Sequence, residues 1–78
     1  MKKKHATQFV VCLNNRGHQA SLEVGKLYRL IPDREAEAEG LMRVIDESGE
    51  DYAFEADRFH RIDVPSQVEK ALLANQQW

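Results

Sequence analysis

The only thiol in the chain is that of Cys12, and the imidazoles of His18 and His60 are its candidate catalytic partners. A reactive cysteine needs a neighbouring base or cation that lowers its pKa, so a Cys–His pair would indicate a thiolate enzyme. Cys12 lies within an apolar run, however, which is typical of a buried strand residue. The spacing identifies no third residue that would orient the base. We therefore expect no catalytic residue, and a cysteine-centred enzyme is the least favoured function.

Metal and cofactor sites are not predicted either. Structural zinc sites place two ligands about two to four residues apart, whereas His5, His18, His60 and Cys12 are scattered. The acidic residues at positions 46–51 lack the alternating ligand spacing of a calcium loop. Neither glycine-rich motif that cradles nucleotide phosphates is present in the sequence. We expect no cofactor and no metal ion.

Charge is distributed unevenly along the chain. Residues 1–31 carry six basic residues against Glu23 alone, a net charge of +5, and residues 32–63 carry eleven acidic residues against four arginines, a net charge of −7. The whole chain has a net charge of −2, which disfavours nucleic-acid binding by bulk attraction. The two halves are expected to neutralise each other within one domain, or to pair head to tail with a second copy. If the basic half instead contacts a phosphate backbone, the side chains involved would be Lys2, Lys3, Lys4, Arg16 and Lys26.

The length of 78 residues limits the chain to one small domain. A single cysteine excludes an internal disulfide and fits a reducing compartment. No apolar run approaches the roughly 18 residues of a membrane span, and the run at positions 9–13 is too short for a signal peptide. We expect a soluble, cytoplasmic protein that does not contact membranes.

Five short segments rich in β-branched and aromatic residues predict strands. They cover residues 8–13, 26–31, 41–46, 51–55 and 60–63. Residues 33–40 have no apolar stripe and are expected to form an exposed loop or one fraying helical turn. Gly49 is predicted to take a positive φ in the turn between the third and fourth strands. A tight helical turn at residues 56–59 should insert Phe59 into the core, where Phe54 is also expected.

The C-terminal segment predicts a helix that begins after Pro65 and extends to about residue 76. Ser66 and Glu69 have the spacing of a capping box, in which each satisfies a free backbone donor of the first turn. The apolar stripe expected to pack on the strands is formed by Val68, Ala71 and Leu72. Such a short helix is not stable alone, so it must dock on the strands or on a partner.

Four segments of the sequence carry a resemblance to a known group of proteins. They are Cys12-Leu13-Asn14-Asn15 with Gly17, residues 22–28, residues 44–52, and Arg58-Phe59. The stretch from Cys12 to Ile62, about two thirds of the chain, resembles short uncharacterised bacterial proteins with an SH3-type barrel. The resemblance implies a bacterial source and a fold but no established activity.

The expected fold is therefore mainly β, a small SH3-like five-stranded barrel with a C-terminal α-helix. Residues 1–7 would be a flexible basic N-terminus and residues 8–64 the barrel. Residues 65–78 would be the helix, docked on the barrel or on a partner. The lysine-rich start and the helix lie outside the stretch that carries the resemblance.

The favoured function is a non-enzymatic binding or adaptor module whose partner is a protein or a second copy of the chain. Tyr28 and Tyr52 would line a shallow peptide groove, or else pack in the core. Leu73 and the terminal Trp78 would form a second apolar surface for a partner, because an exposed terminal tryptophan lowers solubility. The alternative is an accessory protein that contacts nucleic acid through its basic half.

Overall fold

The computed structural model describes residues 7–75. These form five strands, two α-helices and one 3-10 helix. In chain order they are β1 (Gln8–Cys12), β2 (Leu27–Ile31), α1 (Arg34–Ala38), β3 (Leu41–Ile45), β4 (Asp51–Glu55), the 3-10 helix (Ala56–Arg58), β5 (Phe59–Ile62) and α2 (Ser66–Asn75). All five predicted strands are confirmed, with ends that differ by one residue at most. No helix within the described part of the chain is long and apolar enough to cross a membrane.

The strands form a single antiparallel sheet in the order β4-β3-β2-β1-β5. The last strand thus pairs with the first, Cys12 lying opposite Phe59, while β4 forms the other edge. This confirms a mainly β chain with a C-terminal helix. The sheet is not closed, because β4 and β5 lie at its two edges and not side by side.

One hydrophobic core fills the inner face of the sheet. Its buried members are Val10, Cys12, Leu22, Tyr28, Leu30, Met42, Val44, Phe54 and Phe59. The rings of Phe54 on β4 and Phe59 on β5 meet edge to face with centroids 6.0 Å apart, so the core bridges the two edges of the sheet. The expectation that both phenylalanines are buried is confirmed.

The β3–β4 hairpin closes through a turn in which Gly49 has φ +87°. That left-handed conformation is available to glycine without a steric penalty, so the prediction for Gly49 is confirmed. The turn is reinforced by Asp46, whose Oδ1 accepts hydrogen bonds from the backbone N–H of Ser48 at 2.9 Å and from its hydroxyl at 2.5 Å.

Of the two alternatives predicted for residues 33–40, an exposed loop or one helical turn, the structure has the helical turn, α1 at Arg34–Ala38. Asp33 caps this helix by accepting the Ala36 N–H on Oδ1, and it also accepts Arg43 Nε on Oδ2 at 2.8 Å. Ala36 is buried against the sheet. This short helix is stabilised by the buried Ala36 and by Asp33, which both caps the helix and pairs with Arg43. Neither feature produces an apolar stripe in the sequence.

Helix α2 begins at Ser66, directly after Pro65 as predicted, but Ser66 does not occupy the capping position. The Pro65 carbonyl accepts the Glu69 N–H at 2.9 Å, so Pro65 occupies the capping position and Ser66 is already inside the first turn. The apolar stripe is also different. Val68 is exposed, while the less exposed face combines Glu69 with Leu72 and Leu73, at the helical spacing of three and four residues.

Candidate functional site

The structure does not bring Cys12 and an imidazole together. Cys12 points into the core opposite Phe59, so His60, the next residue of β5, points to the other face of the sheet. Burial raises the pKa of the Cys12 thiol, and a backbone hydrogen bond from Asn14 only partly opposes this effect. His18 contacts Phe54, while His5 lies outside the described residues. Between residues 7 and 75, no three His, Cys, Asp or Glu side chains are placed to hold a metal ion.

The two tyrosines have opposite environments. Tyr28 is 1% exposed and belongs to the core, so its ring is not available to a partner. Tyr52 is 56% exposed, on the edge strand β4. Leu73 is half-buried on α2, and Trp78 lies outside the described residues. The structure therefore places Tyr52 at the surface and separates it from Tyr28.

The basic residues proposed to contact phosphates do not form a patch among the described residues. Lys26 Nζ lies 2.7 Å from Glu47 Oε2 and 5.8 Å from the centre of the Tyr28 ring, so its charge is already paired. Arg16 is exposed in a turn closed by its own N–H, which donates to Asn14 Oδ1 at 2.8 Å. Lys2, Lys3 and Lys4 lie outside the described residues.

An aromatic surface, which we define by His18, Tyr52 and Phe54, lies over one part of the core. Tyr52 and Phe54 are two residues apart on β4 and therefore share a face. Their ring centroids are 4.9 Å apart with an interplanar angle of 58°, and the His18 ring meets Phe54 edge to face at 5.0 Å. Phe54 is only 3% exposed. The buried Phe54 ring thus supports both outer rings.

The His18 backbone is fixed by the connection between β1 and β2, residues 13–26, which we call the β1–β2 loop. The His18 N–H donates to the Asn15 carbonyl at 2.8 Å, and the His18 carbonyl accepts the Leu22 N–H at 2.9 Å. Asn15 Nδ2 in turn donates to the Leu22 carbonyl at 2.9 Å. Leu22 is buried in the core and anchors this network. The backbone of His18 is therefore fixed by hydrogen bonds within the loop.

A second set of contacts ties the β1–β2 loop to the β3–β4 hairpin. The Tyr28 hydroxyl accepts the Glu23 N–H at 2.8 Å and donates to Glu47 Oε2 at 2.5 Å. The Glu47 N–H donates to the Ser21 carbonyl at 2.9 Å. Lys26 and, next, the Tyr28 hydroxyl hold the pKa of Glu47 below its usual range. Burial, and then the bond to Glu47, raises the pKa of Tyr28.

Carboxylates continue the face on which Tyr52 lies. Tyr52 pairs with Val44, and the next position on that face of the hairpin holds Asp46 and Glu50, joined by a backbone bond of 3.0 Å from Asp46 N–H to Glu50 carbonyl. Within residues 7–75, neither carboxylate forms an ion pair. At the other end of β4, Glu55 is bound to Arg58 at 2.6 Å. The aromatic surface therefore has uncompensated negative charge on its hairpin side.

Two open concavities lie elsewhere. One of about 430 Å³ is lined by Phe9, Ile62 and Glu69 among others, between the β1–β5 edge and the first turn of α2. The other, of about 390 Å³, is lined at the end of the hairpin by Ile31, Ile45, Gly49, Glu50 and Asp51. Neither concavity is lined by Cys12 or by a histidine.

Two residues of this region have roles that the sequence analysis missed. From the sequence, His18 is considered only as a base for Cys12 or as a metal ligand, and Glu47 only as part of an acidic segment without the ligand spacing of a calcium loop. Both functions depend on long-range contacts, His18 with Phe54 and Glu47 with Tyr28, for which the sequence has no periodic signal.

Comparison of the chain with protein-family models, with curated proteins and with solved structures finds no match.

Proposed function

We propose that the chain is a non-enzymatic binding module that takes a segment of a partner protein on the aromatic surface. The observation that carries this proposal is the exposed Tyr52 ring packed on the buried Phe54, with His18 fixed beside it. Tyrosine is enriched at protein interfaces because it offers a large, rigid apolar area together with a hydroxyl. The hydrogen-bonded β1–β2 loop adds preorganisation to that surface.

The charge around this surface favours a protein partner over nucleic acid. Asp46 and Glu50 extend the face of Tyr52, and carboxylates repel a phosphate backbone. The one described lysine near the hairpin, Lys26, is paired with Glu47. Nucleic-acid binding through the basic half of the chain would therefore have to use a different surface.

The proposal includes an SH3-like barrel as the fold. Three features support it. The strand order joins β5 to β1, a three-residue 3-10 helix separates β4 from β5, and the rings of Phe54 and Phe59 meet across the core. Binding residues commonly lie on loops that such a rigid scaffold positions.

The test begins with selection of peptides from a random displayed library against the intact protein. A selected peptide is then titrated into ¹⁵N-labelled protein, and chemical-shift changes are mapped. We expect the largest changes at His18, Tyr52 and their neighbours. Tyr52→Ala should weaken binding by about tenfold or more, as for an aromatic hot-spot residue.

Ile62→Ala is the matched control, because Ile62 is also an exposed apolar strand residue but lies on β5 at the opposite edge of the sheet. It should leave the affinity unchanged. The proposal fails if Tyr52→Ala binds the peptide as tightly as the unchanged protein. It also fails if only oligonucleotides, and no peptides, bind.

A further inference from the structure

We infer that the segment recognised by the aromatic surface carries an arginine, whose guanidinium stacks on Tyr52 and pairs with Glu50. This inference rests on the proposed function and names the chemistry of its partner. Its starting point is the combination of an exposed aromatic ring with unpaired carboxylates on the same face of one hairpin.

The charge balance near Tyr52 is the first argument. The cations of the hairpin and its surroundings are already used: Lys26 binds Glu47, Arg58 binds Glu55, and Arg43 binds Asp33 and Asp51. The Glu50 side chain is exposed and forms no ion pair with residues 7–75. A cation brought by a partner would therefore meet a free carboxylate, without having to displace an internal ion pair.

The second argument concerns the availability of Glu50 compared with Asp46. Asp46 Oδ1 is occupied by the N–H and hydroxyl of Ser48, which stabilise the turn. Glu50 takes part in the turn only through its backbone, its N–H donating to Ser48 Oγ at 3.2 Å and its carbonyl accepting from Asp46. Asp46 is thus a structural carboxylate that adds negative potential, whereas the Glu50 side chain is free to bind.

Arginine fits this arrangement better than lysine. A planar guanidinium stacks on an aromatic ring and still directs its N–H groups, which lie in its own plane, at a carboxylate beside the ring. Tyr52 supplies the ring, tilted on its Phe54 support, and Glu50 supplies the carboxylate two residues away, beyond the Ile45–Asp51 pair. A lysine ammonium is a point charge that is more strongly hydrated, so it gains less from the ring.

The experiment is a double-mutant cycle with a peptide selected as described above. The arginine in the peptide is replaced by glutamine, and Glu50→Gln is introduced in the protein. We expect each single change to weaken binding about two- to fivefold, and the effect of the peptide change to be smaller in Glu50→Gln, where only the stacking on Tyr52 remains to be lost. Glu50→Gln keeps the backbone bonds of the turn, and its thermal midpoint is measured to confirm that the fold is intact.

Glu39→Gln is the control, because it removes one exposed carboxylate next to α1 and leaves the hairpin unchanged. It should preserve the full preference for arginine. If the glutamine peptide binds as tightly as the arginine peptide while the shifts still map to Tyr52, the inference is overturned and the proposed function stands. If no peptide shifts Tyr52, both are overturned. A lysine peptide that binds as tightly as the arginine peptide would also overturn the choice of arginine.

Discussion

The Tyr28 hydroxyl connects three segments of the molecule although its ring is buried. It accepts a hydrogen bond from the Glu23 N–H in the β1–β2 loop and donates one to Glu47 on the hairpin. A buried phenol with both partners satisfied contributes specificity as well as packing, because any other position of the loop would leave a polar group unpaired. Tyr28 therefore acts on the aromatic surface indirectly, by fixing the loop that carries His18.

Tyr28→Phe should lower the free energy of unfolding by about 1–2 kcal/mol, because it leaves the Glu23 N–H without its partner and removes a bond to a charged carboxylate. Tyr52→Phe is the control, since the Tyr52 ring is exposed, and should stay within about 0.5 kcal/mol. Urea unfolding measures both. Faster hydrogen exchange at the Glu23 amide in Tyr28→Phe would locate the effect, and equal stability of the two variants would contradict it.

For single residues, the sequence predicts whether an aromatic side chain is buried or exposed only where the alternating pattern of a strand is sufficient to decide it. Phe54 and Phe59 follow from the strand pattern and are buried as predicted. The different environments of the two tyrosines do not follow from that pattern, because both tyrosines occupy an inward-facing position on their strands. Tyr28 lies on the central β2 and is covered, whereas Tyr52 lies on the edge strand β4, beyond the Phe54 ring.

The β3–β4 hairpin is the element that places both Tyr52 and Glu50. Its register pairs Val44 with Tyr52 and Ile45 with Asp51, and the turn that follows is set by Gly49 and by the Asp46–Ser48 bonds. A shift of one residue would turn Tyr52 to the other face of the sheet. The turn therefore controls the position of the aromatic surface as well as the stability of the hairpin.

Gly49→Val should destabilise the protein by about 1–2 kcal/mol or more, because a β-branched residue tolerates φ +87° poorly. Space is not the cause, since a Cβ at this position would meet no atom within 4 Å. Gly49→Asn separates the two effects, because asparagine enters the left-handed region more easily than valine. Thermal melting should rank the valine variant well below the asparagine variant, and equal midpoints would exclude backbone strain.

Phe59→Ala should cost about 3–5 kcal/mol, because Phe59 is a large buried side chain in a core with few members. It follows directly after the 3-10 helix and joins β5 to both Cys12 and Phe54. Circular dichroism during thermal melting measures the loss. An unchanged midpoint would show that the ring does not contribute to the core.

Helices were harder to infer than strands, for a physical reason. Strands can be recognised in a sequence by the alternation of apolar and polar residues, and all five predicted strands are present in the structure. α1 has one buried residue, Ala36, and depends on Asp33 as both cap and ion-pair partner of Arg43, so its stability comes from tertiary contacts. In α2 the predicted helix and its start at Ser66 agree with the structure, but Ser66 lies inside the first turn and Pro65 takes the capping position.

At the scale of the whole molecule, the uneven charge is only slightly neutralised between the two halves. Of the five ion pairs among the described residues, Lys26–Glu47 alone joins residues 1–31 to residues 32–63. The other four lie within the acidic half, where they use its arginines. Pairing with residues 1–31 therefore leaves most of the negative charge of the hairpin in place in the folded molecule.

Stability should fall in acid, because several carboxylates have pKa values below their usual range in the folded state. For Glu47 the first cause is the Lys26 hydrogen bond, and for Asp33 it is the Arg43 hydrogen bond. A lowered folded-state pKa gives stability that is present above the ordinary glutamate pKa of about 4.3 and is lost as pH falls through the folded value.

Glu47→Gln tests this at one residue. At pH 7 the variant should be less stable than the unchanged protein by about 1 kcal/mol, because it loses the Lys26 ion pair. In acid, once the pH is below the lowered pKa of Glu47, the difference should shrink, since Glu47 itself is then protonated. Urea unfolding at the two pH values provides the comparison. A difference that is the same at both would show that the charge of Glu47 does not contribute.

The pairing of the last strand with the first also has a kinetic consequence. Gln8 and Arg61, whose side chains are hydrogen-bonded across β1 and β5, are 53 residues apart, whereas β3 and β4 are joined by a short turn. Because the entropy lost on closing a loop grows with its length, the hairpin should form before the transition state and the β1–β5 pair after it. Stopped-flow measurements should then give Val44→Ala a high φ-value and Phe59→Ala a low one, so that loss of the Phe59 ring speeds unfolding more than it slows folding.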